Sequence, residues 1–203
     1  MKKQYKNLVF DVGGVLLSYR WKQQLMDYGL SEAEALRVGN EMFEDPENLW
    51  EELDYANFSE EEVIVKYEKK YPKDAKVIRW FITHGEYMQV PRPQIWECLH
   101  ELKACGYKIY LLSNYCEHLF ERHTHYADFM KDIDGMLVSY MVHHIKPEKE
   151  IYLELFRRFD LNPKECLFFD DRPQNVEGGQ RLGMDSILVE SPASLLEQME
   201  SLK

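Results

Sequence analysis

Short apolar runs in this sequence end in side chains that can do chemistry. They are Asp11, Ser113–Asn114 and Asp170–Asp171, and Lys146 adds a cation from a loop. A carboxylate can attack phosphorus to form an acyl phosphate, and further carboxylates can hold a hard cation such as Mg²⁺. A serine hydroxyl and backbone N–H groups at a helix start can bind phosphate oxygens, while a lysine neutralises charge on the transferring group. The set indicates a phosphoryl-transfer site that uses Mg²⁺.

Each of these residues also has a purely structural interpretation. Asp11 precedes Gly13–Gly14 and could be a turn residue. Ser113–Asn114 could cap a helix, and Lys146 could be an exposed loop lysine. Adjacent aspartates at 170 and 171 are costly if both are ionised near a third, and a bound cation relieves that repulsion. The functional interpretation therefore requires that these residues meet at one place.

The runs that would position them are continuous apolar stretches, which is typical of strands buried on both faces of a parallel sheet. We predict strands at Lys6–Phe10, Lys108–Leu112, Gly135–Ser139, Glu165–Phe169 and Ser186–Val189. Helical patterns lie between them at Pro93–Cys105, Glu148–Phe159 and Asn175–Leu182. This alternation predicts an α/β fold with a Rossmann-like parallel sheet flanked by helices. In such sheets ligands bind beyond the carboxyl ends of the strands, where the polar residues stand.

Residues 18–89 have a different pattern, which contains no convincing strand. We predict helices at Trp21–Tyr28, Ser31–Met42, Ser59–Tyr71 and Asp74–Met88. Two of these helices begin with Ser followed three residues later by Glu, which is the spacing of a capping box. The sequence therefore predicts an all-helical module over residues 18–89, inserted into an α/β domain made of residues 1–17 and 90–203.

Composition excludes several classes of protein. The 203 residues carry 25 Lys plus Arg against 36 Asp plus Glu, a formal net charge of −11 that disfavours a nucleic-acid partner. Asp11 interrupts the apolar run 8–17 and no cleavage site follows it, so we expect neither a signal peptide nor a membrane partner. We expect a cytoplasmic protein with its four cysteines reduced, and the oligomeric state is open. His123 and His125 are poorly spaced for metal ligands, so solvated or packing roles are expected.

Four segments, taken together, resemble the signature motifs of the haloacid dehalogenase superfamily of phosphatases. They are VFDVGGVL, LLSN, KPEKEIY and FFDDRPQNVEGGQRLGM, in the family's order and spanning nearly the whole chain. The helical module is similar to that family's cap in its first insertion position. DDRPQN resembles the branch that holds sugar-1-phosphate phosphatases and the phosphatase domain of epoxide hydrolases. The resemblance implies Mg²⁺-dependent hydrolysis of a small phosphorylated metabolite, such as a sugar phosphate, through an aspartyl phosphate.

The resemblance also implies roles in the reaction at the matched positions. Asp11 would be the nucleophile, and Lys146 would bridge the phosphate and the nucleophile. The Ser113 side chain and the Asn114 backbone would bind phosphate, and Lys146 and Gly13 would also be phosphate-binding residues.

The same resemblance implies a set of Mg²⁺ ligands. Asp11 and Asp171 would be the two carboxylates on the metal. The backbone carbonyl of Gly13 would reach the metal, with Asn175 near its shell. Asp170 stands where many relatives have Gly and is a further candidate ligand. Because Asp171 is present, the resemblance argues against dehalogenation, which has no use for Mg²⁺.

Gly13 departs from the family pattern, which has a second Asp at this position as the general acid for the leaving group. General acid–base help is worth roughly 10²–10⁴-fold in rate. The enzyme could use substrates with good leaving groups, such as acyl, aryl or anomeric phosphates. It could recruit another acid, for which His143, His144 and Glu86 are candidates. It could instead be a slow phosphatase that mainly binds a phosphorylated ligand, as a binding or regulatory protein does. If the acid is simply missing, Gly13→Asp is expected to raise activity on poor leaving groups.

Overall fold

The computed structural model describes residues 4–203, and within that range it has a parallel sheet of five strands and a separate ribbon of two. The strands are β1 (Asn7–Phe10), β2 (Leu17–Tyr19), β3 (Gln89–Pro91), β4 (Lys108–Ser113), β5 (Gly135–Val138), β6 (Cys166–Asp170) and β7 (Asp185–Leu188). The helices are α1 (Trp21–Asp27), α2 (Glu32–Phe43), α3 (Leu49–Asp54), α4 (Glu60–Lys70), α5 (Ala75–Thr83), α6 (Pro93–Ala104), α7 (Glu117–Thr124), α8 (Lys149–Arg158), α9 (Pro173–Arg181) and α10 (Pro192–Glu200).

The large sheet has the order β5-β4-β1-β6-β7, and every pairing in it is parallel. The α/β prediction is therefore confirmed. Phe10 of β1 lies opposite Leu111 of β4 and Phe169 of β6. Because the carboxyl ends of parallel strands meet at one edge, Asp11 and the last residues of β4 and β6 come together there. The register of three strands thus assembles the polar residues at one edge of the sheet.

The two faces of the sheet pack against different apolar layers. Leu8 and Phe10 of β1 belong to a large buried cluster that continues into helices α1–α5. Val9 points to the other face, into a smaller cluster with Tyr152 of α8. The large cluster joins the inserted helices to the sheet without a break. Within the described residues, no helix has the length and apolar character needed to cross a membrane.

The ribbon of β2 and β3 was not predicted. The two strands pair antiparallel, with Ser18 opposite Val90 and Tyr19 opposite Gln89. Each strand is three residues long, which is too short to give a periodic pattern, and the expectation of no strand between residues 18 and 89 is wrong at both ends. The chain therefore enters and leaves the helical segment through neighbouring strands.

Local sequence explains the helices of this segment. Ser31 and Ser59 form the expected capping boxes with Glu34 and Glu62, so both predicted starts are confirmed. α5 stops at Thr83 and a 3-10 turn follows, so the predicted helix to Met88 is too long. α3, α7 and α10 are short helices that the sequence did not predict.

Two side chains of the returning chain hold the loop that follows β1. The Arg92 guanidinium donates to the carbonyl oxygens of Gly14 and Val15 at 2.6 and 2.9 Å. The Trp96 indole N–H donates to the carbonyl of Leu16 at 2.7 Å. Three consecutive carbonyls of this loop thus have fixed donors, so the backbone beside Asp11 is held in one conformation.

Arg92→Ala should lower the free energy of unfolding by about 1–3 kcal/mol, because two part-buried carbonyls lose their donor. Urea unfolding followed by circular dichroism measures the change. Arg157→Ala is the matched control, since this exposed arginine on α8 pairs with Glu154 at the surface and its loss should leave the free energy of unfolding close to that of the wild type. Equal losses in the two variants would contradict a role for Arg92 in holding the loop.

Candidate active site

Asp11 lies buried at the end of β1, and one of its two oxygens is held by three donors. Its Oδ1 accepts hydrogen bonds from the Ser113 hydroxyl at 2.6 Å and from the backbone N–H of Val12 at 2.7 Å. The Lys146 ammonium lies 3.0 Å from the same oxygen. Among residues 4–203, Oδ2 has no hydrogen-bond donor. Asp11 is therefore fixed in orientation with one carboxylate oxygen free to react.

Lys146 is buried between two carboxylates. Its Nζ lies 2.6 Å from Asp170 Oδ2 and donates to the carbonyl of Leu112 at 2.8 Å, in addition to its contact with Asp11. Burial by itself lowers the pKa of Lys146, but the attraction of the two aspartates outweighs burial and the pKa is raised. The lysine therefore stays charged and neutralises part of the acidic cluster.

The Asn114 side chain has a function that the sequence did not predict. Its Nδ2 donates to the Lys146 carbonyl at 2.9 Å, and its Oδ1 accepts from the Lys146 N–H at 2.8 Å. This pair of bonds fixes the backbone of the lysine. The expected phosphate contact of Asn114 uses its backbone and is compatible with this arrangement.

Asp170 is completely buried and its hydrogen bonds are satisfied by the protein. Its carboxylate accepts from the Arg172 N–H at 2.8 Å and from the Asn175 amide at 3.0 Å, and Lys146 occupies the remaining side. It therefore supports the lysine, and its candidacy as a metal ligand is weak.

Asn175 Oδ1, unlike the carboxylate oxygens of Asp170, is buried without a hydrogen-bond partner among the described residues. Such an oxygen is costly unless a cation or water meets it.

Three carboxylates converge at this edge of the sheet. Asp11, Asp170 and Asp171 each place one oxygen within 4.8 Å of the others, and Asp171 is the most exposed of them. Burial, together with the like charges of the other two, raises the pKa of Asp11 to about 7 in spite of Lys146. Burial and Asp170 raise the pKa of Asp171. With Lys146 as the cation among them, the cluster has the excess negative charge and the hard oxygen donors that suit Mg²⁺.

Gly14 makes the placement of Asp171 possible. Its φ is +73°, a conformation that favours glycine, and a Cβ there would lie 2.2 Å from Asp171 Oδ2. The second carboxylate of the candidate metal site thus packs directly on the backbone of the β1 loop.

Tyr19 of β2 occupies the space beside Gly13, which accounts for the absence of a side chain at that position. A Cβ at residue 13 would lie 2.3 Å from the Tyr19 hydroxyl. That hydroxyl bonds to the Tyr115 hydroxyl, which lies 2.9 Å from His123 Nδ1, while His123 Nε2 faces the carbonyl of Gly85 at 2.8 Å. A carbonyl only accepts hydrogen bonds, so His123 Nε2 carries the imidazole proton and Nδ1 is left to accept one. The Tyr115 hydroxyl therefore donates to Nδ1, and the Tyr19 hydroxyl donates to the Tyr115 hydroxyl. His123 thus has a packing role, and a tyrosine fills the space in which the resemblance would place a general acid.

The three candidate replacement acids lie elsewhere. His143 Nδ1 bonds to the carbonyl of Tyr55, His144 pairs with Glu148, and Glu86 pairs with an exposed arginine of α7. Of the residues between 4 and 203 that line the cavity over Asp11, none is His143, His144 or Glu86. The structure therefore does not support them as the acid.

The cavity itself measures 1160 Å³ and lies between the sheet edge and the inserted helices. The sheet side presents the charged residues, including Asp11, Lys146 and Asp171. The helical side presents the aromatic rings of Trp21, Phe43, Trp50 and Tyr55 and a set of acids, which are Glu44, Asp45, Glu51 and Asp54. Asp54 was missed because it lies in an acidic stretch, where nothing in the sequence separates it from its neighbours.

The chain is similar in sequence to a family of hydrolases and to individual phosphatases. Residues 5–183 match the family model described as haloacid dehalogenase-like hydrolase. The sesquiterpene phosphatase astK of Aspergillus oryzae is 24% identical over 196 residues, covering 95% of this chain and 94% of that protein. Mouse bifunctional epoxide hydrolase 2 is 33% identical over 76 residues, which are 37% of this chain and 14% of that protein.

A solved structure shares the fold. It is a haloacid dehalogenase family enzyme of Bacteroides thetaiotaomicron in complex with magnesium and inorganic phosphate, with a TM-score of 0.72 and 21% identity. The match covers 91% of this chain and 93% of that one.

Mg²⁺ should stabilise the protein, because it would relieve the repulsion among the three carboxylates. At 100 times its Kd, a bound ligand adds about 2.7 kcal/mol to the free energy of unfolding. Thermal unfolding with and without Mg²⁺ measures the effect. Asp171→Asn should remove most of the shift in midpoint, whereas the exposed control Glu190→Gln should keep it. A full shift in Asp171→Asn would contradict the placement of the metal.

Gly13→Asp should fail to raise activity on poor leaving groups, which revises the expectation from sequence. The new side chain would collide with Tyr19, whose ring is held in the tyrosine–histidine chain. Steady-state hydrolysis of phenyl phosphate by Gly13→Asp and by Gly13→Asp combined with Tyr19→Ala tests this. If space is the obstacle, the double variant is the more active of the two. Higher activity of Gly13→Asp alone than of the wild type would show that the loop accepts the carboxylate.

Proposed function

The chain belongs to the haloacid dehalogenase-like hydrolase family, and from that membership we propose that it is a Mg²⁺-dependent phosphatase. Its substrate would be a small phosphorylated metabolite, and the reaction would pass through an aspartyl phosphate at Asp11. The observation that carries the proposal is the Asp11 carboxylate, which is held by Ser113 and Lys146 on one oxygen and is free on the other, at the floor of a large cavity.

The first step follows from this geometry. Asp11 Oδ2 attacks phosphorus in line, and the bond from phosphorus to the leaving oxygen breaks as the new oxygen–phosphorus bond forms. Ser113 and Lys146 keep the nucleophile in orientation, so little entropy is lost on reaching the transition state. The Lys146 charge also offsets negative charge that builds on the phosphoryl group.

The second step releases phosphate. Water attacks phosphorus of the aspartyl phosphate, the bond to Asp11 breaks, and the carboxylate is restored in its original hydrogen bonds. The inserted helices form one side of the cavity over Asp11 and would limit the access of bulk water to the intermediate.

Asp11, Asp171 and the Gly13 carbonyl would hold Mg²⁺, with Asn175 Oδ1 directed to its shell. The fit rests on the excess charge of the cluster and on the unsatisfied Asn175 oxygen. Bound Mg²⁺ would supply positive charge to the phosphoryl oxygens during transfer. Asp170 would stay with Lys146 and take no part in metal binding.

Asp11→Asn should lower Mg²⁺-dependent hydrolysis of 4-nitrophenyl phosphate by at least about 10³-fold, because an amide is a poor nucleophile. Asp160→Asn, an exposed loop carboxylate, is the control and should keep wild-type activity. Release of nitrophenol with and without Mg²⁺ is the measurement. Full activity in Asp11→Asn would show that Asp11 is not the nucleophile.

Gly13 motivates the competing function of a phosphate-ligand binding or regulatory protein. Wild-type protein that turns over no aryl, acyl or sugar-1-phosphate, yet binds inorganic phosphate in calorimetry, would favour that function over the phosphatase.

A further inference from the structure

The leaving oxygen needs a proton in the first step, and the usual donor is absent. Gly13 has no side chain, and the Tyr19 hydroxyl beside it donates its proton to Tyr115. The order of donors in that chain is fixed by the Gly85 carbonyl at its far end, so Tyr19 has no proton to offer the cavity. A different group must serve poor leaving groups, if the enzyme acts on them.

We propose that Asp54, at the end of helix α3, is the general acid and base of the reaction. The proposal rests on the proposed phosphatase function. In the first step the Asp54 carboxyl gives its proton to the leaving oxygen as the bond from that oxygen to phosphorus breaks, and an alcohol departs. In the second step the resulting carboxylate takes a proton from the attacking water as its oxygen bonds to phosphorus, which restores the acid.

The backbone around Asp54 is fixed relative to the sheet edge. Leu49 and Leu53 of α3 are buried and anchor the helix. The Asp54 carbonyl accepts a hydrogen bond from the Ser139 hydroxyl at 2.6 Å, and the same hydroxyl oxygen accepts from the Tyr115 N–H at 3.0 Å. Tyr115 directly follows Asn114, so Asp54 is connected through Ser139 to the loop that holds Lys146.

Among the acids of residues 4–203 that line the helical side of the cavity, the Asp54 carboxyl is both withdrawn from water and without a partner, whereas Glu44 and Glu51 are exposed. Within residues 4–203 it has no hydrogen bond and no ion pair, although it is half-buried on the cavity wall. In contrast, Asp45 is bound by Lys70 and Tyr71, and Glu148 accepts from the Tyr55 hydroxyl. A carboxyl withdrawn from water and left without a partner is typical of a group kept for chemistry.

The charges that face Asp54 come from both sides of the cavity. Burial raises the pKa of Asp54 to about 7, and the negative charges of Glu51 and Asp11 add to that rise, while Arg172 and Lys146 oppose it. Neutral groups nearby are the phenols of Tyr19, Tyr67 and Tyr115 and the thiol of Cys116. A carboxyl with this pKa holds a proton in a large fraction of molecules near neutral pH and can also release it, as a general acid must.

The test compares two aryl phosphates of similar shape in the full-length Asp54→Asn variant with Mg²⁺ present. Phenol is a poor leaving group without protonation, whereas nitrophenolate leaves unaided. For phenyl phosphate, kcat/KM should fall by about 10²-fold or more, and for 4-nitrophenyl phosphate it should fall less than about 10-fold. The value of kcat/KM reports only the steps through formation of the aspartyl phosphate, so the acid role is isolated.

A second readout addresses the base role. With 4-nitrophenyl phosphate, Asp54→Asn should release a burst of nitrophenol equal to the enzyme concentration and then turn over slowly, because hydrolysis of the aspartyl phosphate has lost its base. Asp54→Glu should recover part of the phenyl phosphate activity. Glu52→Gln removes the same charge from α3 outside the cavity wall and should behave as the wild type.

The outcomes separate two kinds of failure. Equal losses on both substrates, or no loss on phenyl phosphate, would overturn the role of Asp54 while leaving Asp11 as the nucleophile. Wild-type protein without Mg²⁺-dependent turnover of either substrate would overturn the phosphatase function and this proposal with it. A thermal midpoint of Asp54→Asn at or above that of the wild type, as expected for an uncharged isostere at a half-buried site, shows that the variant is folded.

Discussion

The Lys146 ammonium, buried between Asp11 and Asp170, is the interaction on which the rest of the site depends. Without it, two carboxylates would face each other away from water, and breaking such a buried pair typically costs about 3–5 kcal/mol. The surrounding contacts hold the lysine in place. The Asn114 side chain fixes its backbone, and the Leu112 carbonyl accepts a hydrogen bond from its ammonium. The Lys146 charge is needed for the fold of this edge, because it offsets the two buried carboxylates, and the proposed reaction needs the same charge beside Asp11.

A second constraint concerns space at the loop after β1. Gly14 leaves room for Asp171, and Gly13 leaves room for the Tyr19 hydroxyl. The family's usual acid and this tyrosine compete for the same volume, and here the tyrosine occupies it. Tyr19 is anchored through Tyr115 and His123 to the carbonyl of Gly85. Replacing the acid by this tyrosine therefore depends on residues from several elements and not on position 13 alone. Proton delivery from the helical side of the cavity is consistent with that exchange.

Sequence predicted the α/β fold well because its strands are buried on both faces and read as continuous apolar runs, as Leu8–Phe10 illustrates. It also pointed to the strand-end residues, since parallel register brings Asp11, Ser113 and Asp170 to one edge. It could not reveal that Asn114 clamps a loop, because that depends on the path of distant backbone. Nor could it single out Asp54, because that residue reaches the cavity only through the packing of α3 over the sheet edge. The ribbon of β2 and β3 was too short to leave a pattern.

That ribbon has a consequence for how such a protein can diversify. Since β2 and β3 are hydrogen-bonded neighbours, the helical segment starts and finishes at almost the same point in space. Helices can be lengthened, shortened or exchanged between these strands without altering the spacing of the sheet. The sheet edge that carries Asp11 and Lys146 and the helical wall of the cavity can thus accumulate changes at different rates. New substrates become accessible by rebuilding one side of the cavity while the lysine and its aspartates stay in place.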